Sequence, residues 1–168
     1  MPETLLGIYV GPTAITWSLV DRDFNVLAWD SIIWWNKSLK YDIINLVPFF
    51  VKQLPLCTSY VMEELKINSR SRGTSCMMQH QMIISIASCI KLIIQRTNNS
   101  DSLANTLYIL KPLTTGRIFK LLVASEDIHI AYEFKKKYMK KVAGEREQMG
   151  KCLLTTLACL HIIRNCIS

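Results

Sequence analysis

The apolar positions at the start of the chain alternate with small or polar ones at a period of two. Leu5 to Val10 is a short apolar run closed by Gly11-Pro12-Thr13. Ala14 to Val20 sets Ile15, Trp17 and Leu19 against smaller or polar neighbours, and after a polar turn at Asp21 to Asn25 the pattern resumes from Val26 to Trp34. Successive side chains on a strand point to opposite faces, so this pattern predicts a three-stranded antiparallel meander. The period then changes. Leu39, Ile43, Ile44, Val47, Phe50 and Val51 fall at helical spacing, with Pro48 expected to kink or restart the helix and Pro55 to end it. Ser59 to Leu65 reads as a fourth strand. Lys66 to Thr74 reads as a polar, basic loop, and Ser75 to about Gln95 as a long, central, buried helix whose apolar positions nearly encircle it. A turn cluster at Thr97 to Asp101 precedes a fifth strand, Thr106 to Leu110. The remainder predicts helices near Arg117 to Val123, from about Asp127 to Val142, and from about Glu145 to Ile163.

A meander whose later strands are joined by crossover helices gives an α/β fold. Its sheet is mixed and five-stranded, antiparallel in the first three strands and parallel afterwards, with helices on both faces. Residues 1–168 form one domain on this reading, since that length buries about 70% of the surface an unfolded chain exposes.

Composition removes some function classes. Half of the residues are apolar, 20% are charged and the mean hydropathy is +0.20, which excludes a mainly disordered, solvating chain. The net charge of +7 permits a polyanionic partner. The longest apolar run, Met82 to Ile94, is interrupted by Lys91 and reads as a buried helix; no membrane contact is expected. Six cysteines lie in apolar surroundings with no CxxC and no histidine at zinc-finger spacing, so they are expected to be reduced packing thiols. Cys152, Cys159 and Cys166 recur every seven residues along one helix stripe. No signal or transit peptide precedes the strand-like run at Leu5, so any targeting segment is expected to have been removed or to lie outside this chain. No Ser/His/Asp set, phosphate-binding loop or dinucleotide fingerprint is present. His80, His129 and His161 lack ligand-spaced acidic or thiolate partners and are expected to be structural.

The element order matches the ribonuclease H-like fold, and three phrases resemble RuvC-type Holliday junction resolvases. "LLGIYVG" (Leu5 to Gly11) resembles their G-I-D-x-G first strand. "SYVMEELK" (Ser59 to Lys66) resembles the strand ending in their catalytic Glu, and "EQMGKCLLTTLACLHII" resembles their terminal helix, which opens with D-x-x-D. In that family carboxylates from three elements hold two divalent ions, which suits hard cations. The resemblance places Tyr9 at the first-strand Asp, and Gln148 and Lys151 at the two Asp positions of the helix, leaving Glu63 as the one acid retained. A single carboxylate beside an ammonium does not hold a Mg²⁺ pair, because Lys151 would repel it. Glu64, Glu145 and Glu147 are nearby acids, but Glu64 belongs on the opposite strand face from Glu63 and Glu147 is one residue off register. A dismantled nuclease site follows, with no catalytic residue, metal or other cofactor expected.

"ITWSLVDRDFNVLAWD" (Ile15 to Asp30), "YVMEE" (Tyr60 to Glu64) and "LYILKPLTTGRIFKLLVAS" (Leu107 to Ser125) are similar to the degenerate RuvC-like domain of the metazoan mitochondrial transcription elongation factor family. That resemblance implies a non-catalytic, homodimeric domain in the mitochondrial matrix nucleoid. Such a domain docks on mitochondrial RNA polymerase, touches DNA or an RNA:DNA hybrid weakly and without sequence preference, and raises processivity. The family's upstream helix-hairpin-helix module has no counterpart in these residues. Rival readings are a structure-selective endonuclease with a relocated metal site and a scaffold that binds only protein.

Three surface features bear on partners. Lys66, Arg70 and Arg72 lie in the loop after the fourth strand, where cations would meet phosphate oxygens without reading sequence, though a mobile solvated loop has the same composition. Lys135, Lys136, Lys137, Lys140 and Lys141 are five lysines within seven helical residues, too many to face one partner together. They serve either as a solvated face or, through Lys135, Lys136 and Lys140, as a contact to phosphate backbone or an acidic polymerase surface; the lack of interleaved aromatics argues against a single-strand stacking platform. Trp34 and Trp35 are adjacent and point to opposite faces of a strand, so one of the two is expected at an interface, with packing under the next helix as the alternative.

Overall fold

The computed structural model describes residues 2–34, 43–65, 73–97, 106–111 and 129–167. The meander forms as its alternation predicts: β1 (Thr4–Val10), β2 (Ala14–Asp21) and β3 (Asn25–Ile33) pair antiparallel in succession. α1 (Ile43–Gln53) leads to β4 (Ser59–Glu63), then α2 (Thr74–Thr97), β5 (Leu107–Leu110), β6 (His129–Ile130), α3 (Tyr132–Met139) and α4 (Ala143–Ile167). β4 joins β1 in parallel and β5 joins β4 in parallel, as expected of strands reached by crossovers.

Beyond the five expected strands, β6 adds two residues parallel to Asn25 and Val26 at the β3 edge, giving the order β5-β4-β1-β2-β3-β6. The helix expected from Asp127 to Val142 is therefore divided. His129 and Ile130 pair with the sheet, extended backbone at Ala131 ends that pairing, and the helix begins at Tyr132. α4 starts at Ala143 and reaches Ile167, longer at both ends than its periodic core. The expected helix near Arg117 to Val123 lies outside the described residues.

The period-two pattern sorts the sheet's two faces. Leu6, Ile8, Val10, Ile15, Trp17 and Leu19 point to one side, where Val47 and Phe50 of α1 and Met82, Ile86, Ile90 and Ile94 of α2 cover them. Leu5, Val20, Val26, Trp29 and Val61 point to the other and are covered by Met149, Leu153, Leu157 and Leu160 of α4. α1 continues through Pro48 without a restart. α2 is long and apolar enough over Cys76–Thr97 to cross a membrane by length and composition, a stretch longer than the Met82–Ile94 run the sequence singled out. It is not buried all round: one stripe packs under the sheet, while Met77, Ile84 and Leu92 are exposed.

Buried polarity is concentrated where α4 crosses β1 and β2. Ser18 Oγ and Thr156 Oγ1 lie 2.6 Å apart, Thr16 Oγ1 donates to the Gln148 carbonyl at 3.3 Å, and the Cys152 thiol donates to the Gly7 carbonyl at 3.4 Å. Each buried hydroxyl thereby has a partner, which burial requires. Burial pushes the Cys152 and Cys159 thiols up to about 11 and about 12, away from thiolate chemistry. Cys166, the third of the seven-residue series, is exposed because α4 has by then run past the sheet.

Candidate functional site

β1 and β4 run parallel with Ile8 opposite Met62, so Tyr9 and Glu63 emerge side by side at the C-terminal ends of adjacent strands. Ile8 and Met62 enter the α2 side of the sheet, which turns their successors Tyr9 and Glu63 toward α4. From α4, Thr155 Oγ1 donates to Glu63 Oε2 at 3.3 Å, and Lys151 Nζ pairs with Glu147 Oε1 at 3.2 Å. Burial raises the Tyr9 phenol above its ordinary value, opposed by the Lys151 ammonium and reinforced by the negative charge of Glu63 and Glu147. Lys151 in turn is held protonated above its usual range, first by attraction to Tyr9. A phenol, an ammonium, a hydroxyl and two carboxylates thus share one cleft.

The residues expected there divide into two groups. Tyr9, Glu63 and Lys151 come together. Gln148 does not join them: its Oε1 accepts from the Ala14 N–H at 3.2 Å, and its amide nitrogen donates to Thr13 Oγ1 at 3.3 Å. A side chain so placed grips the β1–β2 turn, and it also explains Gly11, where a Cβ would overlap Gln148 Oε1. Gln79 Nε2 donates to the Val10 carbonyl at 2.6 Å and Trp34 Nε1 to the Gly11 carbonyl at 2.9 Å, completing the grip. Trp34 is therefore corrected from an interface residue to a fully buried one. Trp35, Lys66, Arg70 and Arg72 lie outside the described residues.

Thr155 was not foreseen. The signal was present: positions 148, 152, 155 and 156 form the stripe of α4 that faces the sheet, and Thr155 is one turn beyond Lys151. Glu64 does lie on the opposite side of the sheet, lining a groove of about 500 Å³ with His80, Ile83, Ile84 and Lys91. Glu145 is also engaged elsewhere, accepting from Ser31 Oγ at 2.7 Å.

Donor chemistry tests whether a divalent ion fits the cleft. Glu63 accepts from Thr155, and Glu147 is paired to the Lys151 ammonium, whose positive charge opposes a cation nearby. Among the described residues no three His, Cys, Asp or Glu side chains converge at ligand distance. The set does not fit a metal pair.

On the α3 side, Asp30 receives Lys137, and Lys141 Nζ at 3.2 Å, while Tyr138 stacks on Trp29 with ring centroids 4.7 Å apart. Burial would raise the Asp30 carboxyl, but the Lys137, Ser31 and Lys141 hydrogen bonds outweigh it and hold the group below the ordinary carboxylate range. Two of the five lysines thus dock α3 on β3. Lys135, Lys136 and Lys140 remain on its exposed side.

No protein-family model and no curated protein matches the chain. Solved structures do match. The yeast mitochondrial Holliday junction resolvase superposes at a TM-score of 0.62 with 14% identity, over 93% of this chain and 77% of that one. Thermus thermophilus RuvC gives 0.56 with 10% identity, over 96% of each chain. The fold is RuvC-type ribonuclease H. T. thermophilus RuvC in complex with a Holliday junction substrate matches as well, at 0.53 with 7% identity over 96% of this chain and 95% of that one. Identities this low establish the RuvC-type frame and leave its chemistry to the residues in the cleft.

Proposed function

We propose that this chain is a non-cleaving RuvC-type domain of the mitochondrial transcription elongation factor kind. It dimerises, docks on mitochondrial RNA polymerase in the matrix nucleoid and raises processivity, holding DNA or an RNA:DNA hybrid only weakly. The observation that carries the non-cleaving half is the Lys151 ammonium, paired with Glu147 and close enough to Tyr9 and Glu63 to feel both electrostatically. Two-metal hydrolysis needs converging carboxylates, and here the positive charge is supplied by the protein. The transcription half rests on the likeness of Ile15 to Asp30, Tyr60 to Glu64 and Leu107 to Ser125 to that factor family.

The two halves have separate tests. Incubation of the clean protein with a four-way DNA junction in Mg²⁺ or Mn²⁺ is expected to leave the junction intact; metal-dependent cutting abolished by Glu63→Gln would make the chain a resolvase. Run-off transcription by purified mitochondrial RNA polymerase across a termination-prone template is expected to give more full-length product when the chain is added. An unchanged yield would remove the elongation role. The resolvase reading is favoured by one observation, the carboxylate of Glu63 at the end of β4 in a fold shared with resolvases.

A further inference from the structure

The outward side of α3 carries more than charge. Helical spacing places Tyr132, Lys135, Lys136 and Met139 at i, i+3, i+4 and i+7, with Lys140 one turn after Lys136. Tyr132 is 77% exposed and Met139 65%, large apolar side chains left in solvent amid three cations. The inward side has its own partners: Phe134 and Tyr138 pack on the core beneath, and Lys137 and Lys141 take Asp30. Among the described residues no acid lies within ion-pair distance of Lys135, Lys136 or Lys140, so their charge is not neutralised by the fold. The sequence reading missed the aromatic because Tyr132 precedes the lysine run. The helix, not the linear order, brings it among them.

We propose that this face of α3 binds single-stranded DNA, with a base stacked on the Tyr132 ring and neighbouring phosphates held by Lys135, Lys136 and Lys140. The features distinguish this occupant from others. An exposed ring at the head of a row of cations matches an unpaired base next to phosphates, whereas a duplex keeps its bases stacked inside and has no use for the ring. An acidic protein surface would also pair with the lysines but offers no unpaired base to the Tyr132 ring, and competition by poly-glutamate separates the two occupants. α3 is already docked on β3 by the Trp29–Tyr138 stack and two ion pairs, so its backbone is ordered before a strand arrives. This inference rests on the reading of the chain as a domain that contacts DNA without cutting it.

The test is fluorescence anisotropy of the whole chain with a labelled oligothymidine in EDTA across a salt series. Tyr132→Ala is expected to weaken binding roughly tenfold and Tyr132→Phe to retain it, as stacking requires. Replacing Lys135, Lys136 and Lys140 together by Gln is expected to lower the slope of log affinity against log salt by about 2, three phosphates at about 0.7 each. Melting curves of all variants should match the parent, because these side chains face outward. Full affinity in Tyr132→Ala would overturn the assignment. So would a blunt duplex that binds as tightly as the single strand, an oligouridine preferred over oligothymidine, or poly-glutamate displacing the DNA at equal charge. EDTA excludes cleavage from every reading, so failure here is distinct from junction cutting in Mg²⁺ and from an unchanged run-off yield.

Discussion

A methyl group added at position 7 would land on the Thr156 hydroxyl, with the Ser18 hydroxyl also in its path. Gly7→Ala is accordingly expected to cost about 1–3 kcal/mol in urea unfolding, the range of overpacked cores, and to cost less in a Thr156→Ala background, where the obstruction is gone. The cleft makes a pH prediction. Tyr9 and Lys151 both have raised values in the fold, so the native state binds their protons more tightly than the unfolded chain does. Their contribution is complete below the ordinary tyrosine and lysine range and is lost as pH rises through and beyond it. The double variant Tyr9→Phe, Lys151→Met should show a flatter alkaline arm in a melting-temperature series. At this scale the sequence was partly legible. Motif alignment placed Tyr9, Glu63 and Lys151 together, because strand ends and a helix turn fix them. It misplaced Gln148, whose reach lets it turn to the β1–β2 tip, and alignment has no means of seeing side-chain direction.

Among the elements, α3 depends most on a few contacts. Eight residues are too short for a helix to stand alone in water, and α3 has no side-chain cap at Ala131. Its docking on β3 through Asp30, Trp29 and Tyr138 supplies the missing stability. Asp30→Asn is expected to cost about 1–2 kcal/mol at neutral pH and to accelerate hydrogen exchange in α3 while α4 stays protected. Asp30 is depressed in the fold, so its contribution holds above the usual carboxylate range and fades as acid protonates the native group; parent and variant should converge in acid. The division at Ala131 was hidden in the sequence because two residues of strand are too few to display a period. Conversely β1 to β4, each of five or more residues with one or both faces buried, were readable from short apolar runs, alternation and strand propensity.

For the molecule as a whole, a single sheet separates two apolar cores, with α1 and α2 on one side and α3 and α4 on the other. This arrangement followed from the order of periods along the chain, since crossover helices between parallel strands must cover a face. What the order of periods could not convey is which charged groups stand at the strand ends, a matter that belongs to single residues rather than to architecture. The frame predicts that a metal-binding acid cluster can be built there. A Tyr9→Asp, Lys151→Asp double variant, which sets two new carboxylates beside Glu63, should gain a saturable Mn²⁺ titration by calorimetry that the parent does not show.

Gln79 reaches the β1–β2 tip from the α2 layer and Gln148 reaches it from the α4 layer, with Trp34 closing the third side. Three distant stretches of chain therefore converge on Val10 to Ala14. Each helical layer is thereby tied by an amide group to the same turn, so the two layers share one set of backbone anchors at this end of the sheet.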